Sequence, residues 1–314
     1  MRHSVLIPAF FLAGALSAVA SVDTGLLSLV PPDAKMIGAV DVTRARSSEF
    51  GQYLLGKAQS EDGHLREMVE QTGFDPRRDL QDLMFMAGGQ DAANKPSSFA
   101  ILARGNFDPD RIRTLAVAKG AMIVNYHGLD LIVHPQEKGQ RTAIGFPEVG
   151  IAVMADFDTL KQIVSNRSTP TTLDASLQNT INSIGNSNDA WYVSLTGPGF
   201  LADHMGAEGG PQAKALQGVV QSSGGVKLGS LIETTLDAVT RSPQDAASLT
   251  DVVRFLASMV QMQRQNDPRA GILAAALDGM TLQNSGATVH FAVSLPEKSL
   301  EQLAEAAPNV RGLR

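Results

Sequence analysis

The 314-residue chain contains no cysteine and a single tryptophan, Trp191. Without thiols it cannot build disulfides, thiolate zinc sites or iron–sulfur clusters. It also has no thiol nucleophile and no cysteine for lipid attachment. Aromatic residues are scarce at 5%, and the net charge is −6. Nucleic-acid binding needs a basic face and stacking platforms, so neither figure suits it and no nucleic-acid partner is expected. Beyond the N-terminus no window approaches 18 consecutive apolar residues, which excludes a polytopic membrane protein. Glycine and proline, at 29 and 15 residues, are too few for a collagen-like chain. The hydrophobic share of 43% is too high for a wholly disordered one. What remains is a mildly acidic globular protein, long enough to bury about 75% of its unfolded surface.

The opening MRHSVLIPAFFLAGALSAVASVD reads as a secretory signal peptide. Arg2 supplies the positive end, Val5 to Leu16 the apolar stretch, and Ala18-Val19-Ala20 the small–x–small cleavage pattern. Cleavage after Ala20 leaves 294 residues exported to a bacterial periplasm or beyond. A retained N-terminal anchor is the alternative, and the only expected route to a membrane.

Downstream, apolar strands alternate with helical patterns. MIGAVDV (36–42) reads as a central strand covered on both faces. SFAILAR (98–104) is another strand, and hairpins are expected through His127-Gly128, Pro147-Glu148 and Asn284-Ser285-Gly286. Phe74-Asp75-Pro76, Phe107-Asp108-Pro109 and Phe157-Asp158-Thr159 each read as a helix start, with aspartate as cap. Residues 166–189, rich in Ser, Thr and Asn, read as a connector holding at most a short amphipathic helix around Leu177, Ile181 and Ile184. Residues 226–239 read as one half-exposed strand, and Pro243 to Gln265 as the longest helix, capped by Ser242.

The expected organisation is a signal peptide (1–20), an N-terminal half (21–165), a connector (166–189), a C-terminal half (190–306) and a polar tail (307–314). Strands joined by tight turns as often as by helices favour an α+β fold with a largely antiparallel sheet. The two halves echo each other in architecture, which suggests a pseudo-duplication.

The search for chemistry yields little. No HExxH, G-x-S-x-G, Walker or dinucleotide-binding pattern occurs, so no metal, cofactor or catalytic residue is assigned. The glycine-rich segments, including Ser222-Ser223-Gly224-Gly225, read as loops and helix stops. Met84 and Met86 read as core rather than as a thioether pair. Asp41 stands out as an acid inside an apolar strand, with Arg44 and Arg46 just beyond. These three are the candidate ligand-binding residues, and Asp41 is the candidate for carboxylate-based hydrolysis.

Leu29-Val30-Pro31-Pro32-Asp33-Ala34 leads into MIGAVDV, and Thr72-Gly73-Phe74-Asp75-Pro76 is followed by Arg78-Asp79-Leu80. The strand Thr288 to Leu295 then runs into Pro296-Glu297. In these segments, between Leu26 and Leu303, the chain resembles an uncharacterised family of exported bacterial envelope proteins, a domain of unknown function. The resemblance implies an exported α+β protein and carries over no catalytic residue. The expected function is therefore non-catalytic binding of an apolar ligand or a protein partner. An apolar cavity between the sheet and helices such as 243–265, lined by Leu, Val and Met, would host the ligand. A periplasmic hydrolase using Asp41 is the alternative.

Overall fold

The computed structural model describes residues 22–61, 63–88, 98–134, 141–167, 172–197 and 211–306. The expected signal peptide and polar tail lie outside the described residues. In the N-terminal half the order is α1 (Thr24–Ser28), β1 (Met36–Asp41), α2 (Val42–Ser47), α3 (Glu49–Glu61), α4 (Gly63–Thr72), α5 (Pro76–Asp79), β2 (Leu80–Ala87) and β3 (Phe99–Gly105). There follow α6 (Pro109–Ala118), β4 (Met122–Tyr126), β5 (Leu129–Val133), β6 (Thr142–Glu148), β7 (Ile151–Asp156) and α7 (Phe157–Asn166). The chain continues through α8 (Ala175–Ile184), β8 (Ala190–Ser194), α9 (Pro211–Gln217), β9 (Val219–Lys227) and β10 (Leu231–Thr240). It closes with α10 (Pro243–Met262), α11 (Pro268–Asp278), β11 (Thr281–Ser285), β12 (Thr288–Pro296) and α12 (Glu297–Ala306).

All twelve strands form one antiparallel sheet, ordered β11-β12-β10-β9-β8-β1-β2-β3-β7-β6-β5-β4. The fold is α+β. Each half contributes a contiguous block of strands, and the blocks join where β1 pairs with β8. In each block three successive strands pair in order, β1-β2-β3 and β8-β9-β10, and the last strand of the block, β7 or β12, docks beside the third. Four strands follow α6 in the first block, and two follow α10 and α11 in the second.

Strand alternation divides the side chains into two sets. One face carries Ile37, Met84, Met86, Leu102, Val153 and Val193, all buried under α1, α7 and α8 through Leu26, Leu160, Ile163, Leu177 and Ile181. The two methionines pack the centre of this core. The opposite face carries an apolar row across the sheet, from Ile123 at one edge through Met154, Ile101, Phe85, Tyr192 and Leu236 to Phe291 and Leu282. Among the described residues, helices cover only its ends. Ala246, Leu249 and Val252 of α10 pack on Ala238, Val289 and Leu282, while Ile112 and Ala116 of α6 pack on Ile132. No described helix lies over the middle, where Leu236 and Met154 are exposed. Consequently β1 is central, as its sequence suggests, and among the described residues helices pack on one of its faces.

Several local expectations shift for identifiable reasons. His127 and Gly128 both adopt positive φ, as a tight hairpin turn between β4 and β5 requires. The β6–β7 turn is at Val149-Gly150 rather than Pro147-Glu148, because Gly150 supplies the positive φ. Pro147 instead lies within β6, where the register shifts between Gly145 and Glu148 and proline's missing N–H is tolerated. Residues 226–239 are not one strand. They contribute to β9 and β10, which turn at 228–230.

Asp108 caps α6 through the Arg111 N–H at 3.0 Å, as its motif predicts. For α7 the cap falls two residues earlier than expected. Asp156, not Asp158, accepts from the Thr159 N–H at 2.9 Å and from the Thr159 hydroxyl at 2.6 Å. Asp156→Ala is accordingly expected to destabilise the fold by about 1 kcal/mol. Asp158→Ala, at an exposed side chain, is expected to change it by less than about 0.5 kcal/mol. Urea unfolding of the two variants separates these positions.

Candidate functional site

Two places in the fold could support function. The first surrounds the residues singled out from the sequence. Asp41 ends β1 and caps α2, its carboxylate accepting the Arg44 N–H at 2.9 Å. The Arg44 guanidinium lies 3.4 Å from Asp41 and 3.3 Å from Asp189. Asp189 is buried and also accepts the Leu228 N–H at 2.7 Å. Arg44 thus ties the end of β1 to the segments flanking β8 and β9. Arg46 turns elsewhere, donating to the Arg77 carbonyl at 2.8 Å. The structure brings Asp41 and Arg44 together and leaves Arg46 apart from them.

Asp82 stands directly opposite Asp41 in the β1–β2 register. Burial pushes its pKa up to about 6, with the Asp41 and Asp23 charges adding to the shift and Arg104 opposing it. Asp23 behaves in the opposite way. Burial resists ionisation there, but the Arg104 guanidinium and the Leu26 N–H hold its carboxyl below the usual range. Asp23 and Arg104 form a two-point ion pair whose second contact, Nη2 to Oδ1, is 2.9 Å. The free space beside Asp41, Asp82, Asp23 and Asp189 is about 20 Å³, room for a single water. Among the described residues no group of three His, Asp or Glu side chains is arranged to hold a metal ion. His290 pairs with Asp237 at 2.7 Å on the polar part of the sheet.

The second place is a cavity of about 530 Å³ on the open face, over β10, β9, β8, β1 and β2. Its lining includes Met36, Val40, Phe85, Tyr192, Val226 and Leu236. Asp41, Arg44 and Arg46 do not line it, and neither does any residue of α10. The cavity therefore lies over the sheet rather than against α10, and aromatic rings and glycines join the Leu, Val and Met residues expected in its lining.

The floor depends on two strand glycines. Across the sheet the register reads Leu236, Gly224, Tyr192, Gly38, Phe85. A Cβ on Gly38 would lie 2.2 Å from the Phe85 ring, and one on Gly224 would lie 2.8 Å from the Tyr192 ring. Each ring rests on the bare backbone of its neighbour, so the floor is paved by flat aromatic surface. Gly224 and Gly225 accordingly sit in the middle of β9, not in a loop. The Tyr192 phenol is pushed above its ordinary pKa by burial, an effect that a hydrogen bond with Ser222 offsets in part.

Sequence reasoning overlooked this site because its residues carry no charged chemistry. A signal existed in the outward-facing glycine of MIGAVDV, which leaves an unfilled position on a central strand. Compared with known proteins, the chain matches no family model, no curated protein and no solved structure. Among the described residues no helix is long and apolar enough to cross a membrane.

Proposed function

We propose that this chain is an exported, non-catalytic binding protein of the bacterial envelope, and that the open-face cavity takes an apolar small molecule. One observation carries the binding reading. A cavity of about 530 Å³ lies over the centre of the sheet with an aromatic floor. Its volume falls within the range of small-molecule sites, roughly 300–1,000 Å³, and such sites are mostly apolar with few polar groups. Export is supported by the N-terminal pattern around Arg2 and Ala18-Val19-Ala20, and by the resemblance to exported envelope proteins.

The hydrolase reading has less support. Asp41 and Asp82 do face each other, as paired carboxylates in acid–base catalysis would. Yet the free space beside them is only about 20 Å³, and Arg44 is engaged in joining Asp41 to Asp189. The polar cluster is better explained as a brace between the two blocks of the sheet.

Titration with an uncharged, environment-sensitive fluorophore such as N-phenyl-1-naphthylamine tests the binding reading. Saturable binding with enhanced emission is the expected result. Thr234 is a half-buried lining residue on β10, where tryptophan fits strand geometry. Thr234→Trp should fill the cavity and weaken binding about tenfold, which corresponds to about 1.4 kcal/mol, with the folded state preserved in thermal unfolding. Equal binding by a folded Thr234→Trp variant would remove the cavity from consideration.

A further inference from the structure

The same cavity indicates what kind of ligand it admits, an inference that rests on the apolar-ligand reading above. Among the described residues its lining contains no Lys, Arg, His, Asp or Glu. The polar side chains among these residues are hydroxyls, and two of them, Ser194 and Thr196, bond to each other. Ser194 bonds the Thr196 carbonyl at 3.0 Å and the Thr196 hydroxyl at 3.1 Å. Both Ser194 and Ser222 are buried. Tyr192 and Ser222 are diagonal neighbours across the β8–β9 pair, and both line the cavity.

An anionic or cationic head group entering this space would lose hydration and find no counter-ion among the described lining residues. Hydroxyls do not compensate for that loss, which is why buried charges in proteins are paired. A neutral oxygen costs much less to desolvate, and one hydrogen bond to a hydroxyl replaces most of what water supplied. The flat surface made by Phe85 over Gly38 and Tyr192 over Gly224 suits an alkyl chain or an aryl ring lying along the sheet. We infer that the cavity selects uncharged amphiphiles, meaning an apolar body with an alcohol, ester or carbonyl oxygen placed at Tyr192 and Ser222. The corresponding carboxylates are excluded.

Displacement of bound N-phenyl-1-naphthylamine from the full chain at pH 8 provides the test. The competitors share one chain length and differ only in head group: 1-dodecanol, methyl dodecanoate and dodecanoate. The alcohol and the ester should displace the probe at concentrations at least tenfold lower than the carboxylate. Tyr192→Phe should raise the dodecanol requirement several-fold while leaving affinity for the probe, which has no oxygen, within twofold. Dodecanoate competing within threefold of dodecanol would overturn the inference and leave the apolar-ligand reading intact. So would a Tyr192→Phe variant that binds dodecanol like the parent. If the probe itself fails to bind, the underlying reading falls, and this inference with it.

Discussion

Ile181→Ala is expected to lower the free energy of unfolding by about 2–5 kcal/mol, the range for emptying a large aliphatic side chain from a packed core. Ile181 and Leu177 are both fully buried, in a cluster that includes Trp191 and Leu26. They hold α8 against β8 and β9, where the two blocks of the sheet meet. The surroundings leave little freedom to collapse into the void. Gly185, which closes the helix, is so confined that a Cβ there would lie 2.3 Å from Val22 and 3.3 Å from the Trp191 ring. Asn179→Ala, on the exposed side of α8, is expected to fall within about 0.5 kcal/mol of the parent. Urea unfolding should show the Ile181→Ala midpoint displaced with an unchanged slope, as a loss of stability without change in compactness requires. A shift under 0.5 kcal/mol would mean that 172–189 is a connector rather than a structural part of the core.

The second large effect concerns Asp82, and it has the opposite sign. An unfolded aspartate titrates near ~3.9, whereas burial and the facing Asp41 raise Asp82 to about 6 in the folded state. The folded protein therefore binds the proton more tightly than the unfolded chain. Above pH 6 the charged carboxylate is held in an unfavourable place, and the destabilisation is fully present. As pH falls from about 6 toward about 4, the side chain protonates in the fold first and stability from this group rises. Two pKa units correspond to a ceiling of about 3 kcal/mol. Asp82 is only half-buried, so solvent screening reduces this to about 1–2 kcal/mol.

Asp82→Asn is accordingly expected to stabilise the protein by about 1–2 kcal/mol at pH 7 and to converge with the parent near pH 4. The quantity to measure is the difference between the two stability curves across that window, since other carboxylates titrate in both proteins. Parallel curves would show that Asp82 ionises normally. Asp41→Asn supplies a cross-check. Asparagine caps a helix as well as aspartate does, so the variant keeps α2 capped while removing the facing charge. Less stabilisation is then left for Asp82→Asn to deliver in the Asp41→Asn background.

Positions where one residue meets its own neighbours were readable along the chain. Asp108 caps α6 and Ser242 caps α10 because a short polar side chain reaches an N–H two or three residues ahead. His127-Gly128 turns between β4 and β5 because both residues tolerate positive φ. Positions that depend on distant partners were not readable in this way. Leu80 to Ala87 carries no clear alternation, yet it is the central strand β2 because β1 and β3 supply its hydrogen bonds. Gly224-Gly225 reads as a loop by composition. It lies in β9 because Tyr192 covers one glycine and Asn188 the other, replacing the side chains they lack.

By itself, then, the sequence determined the class of the molecule. It specified a cysteine-free chain that must be stabilised by core burial, an α+β pattern of elements, and most helix starts, because composition and local caps act within a few residues. Tertiary structure decided the rest. It joined both halves in a single twelve-stranded sheet through the β1–β8 pairing, and it made the supposed connector part of the core. It also joined Asp41 to Asp189 through Arg44 and placed the candidate site over Gly38, Phe85, Tyr192 and Gly224. Strand order and register depend on which distant segments pair, and a cavity lined by five strands exists only once they have done so.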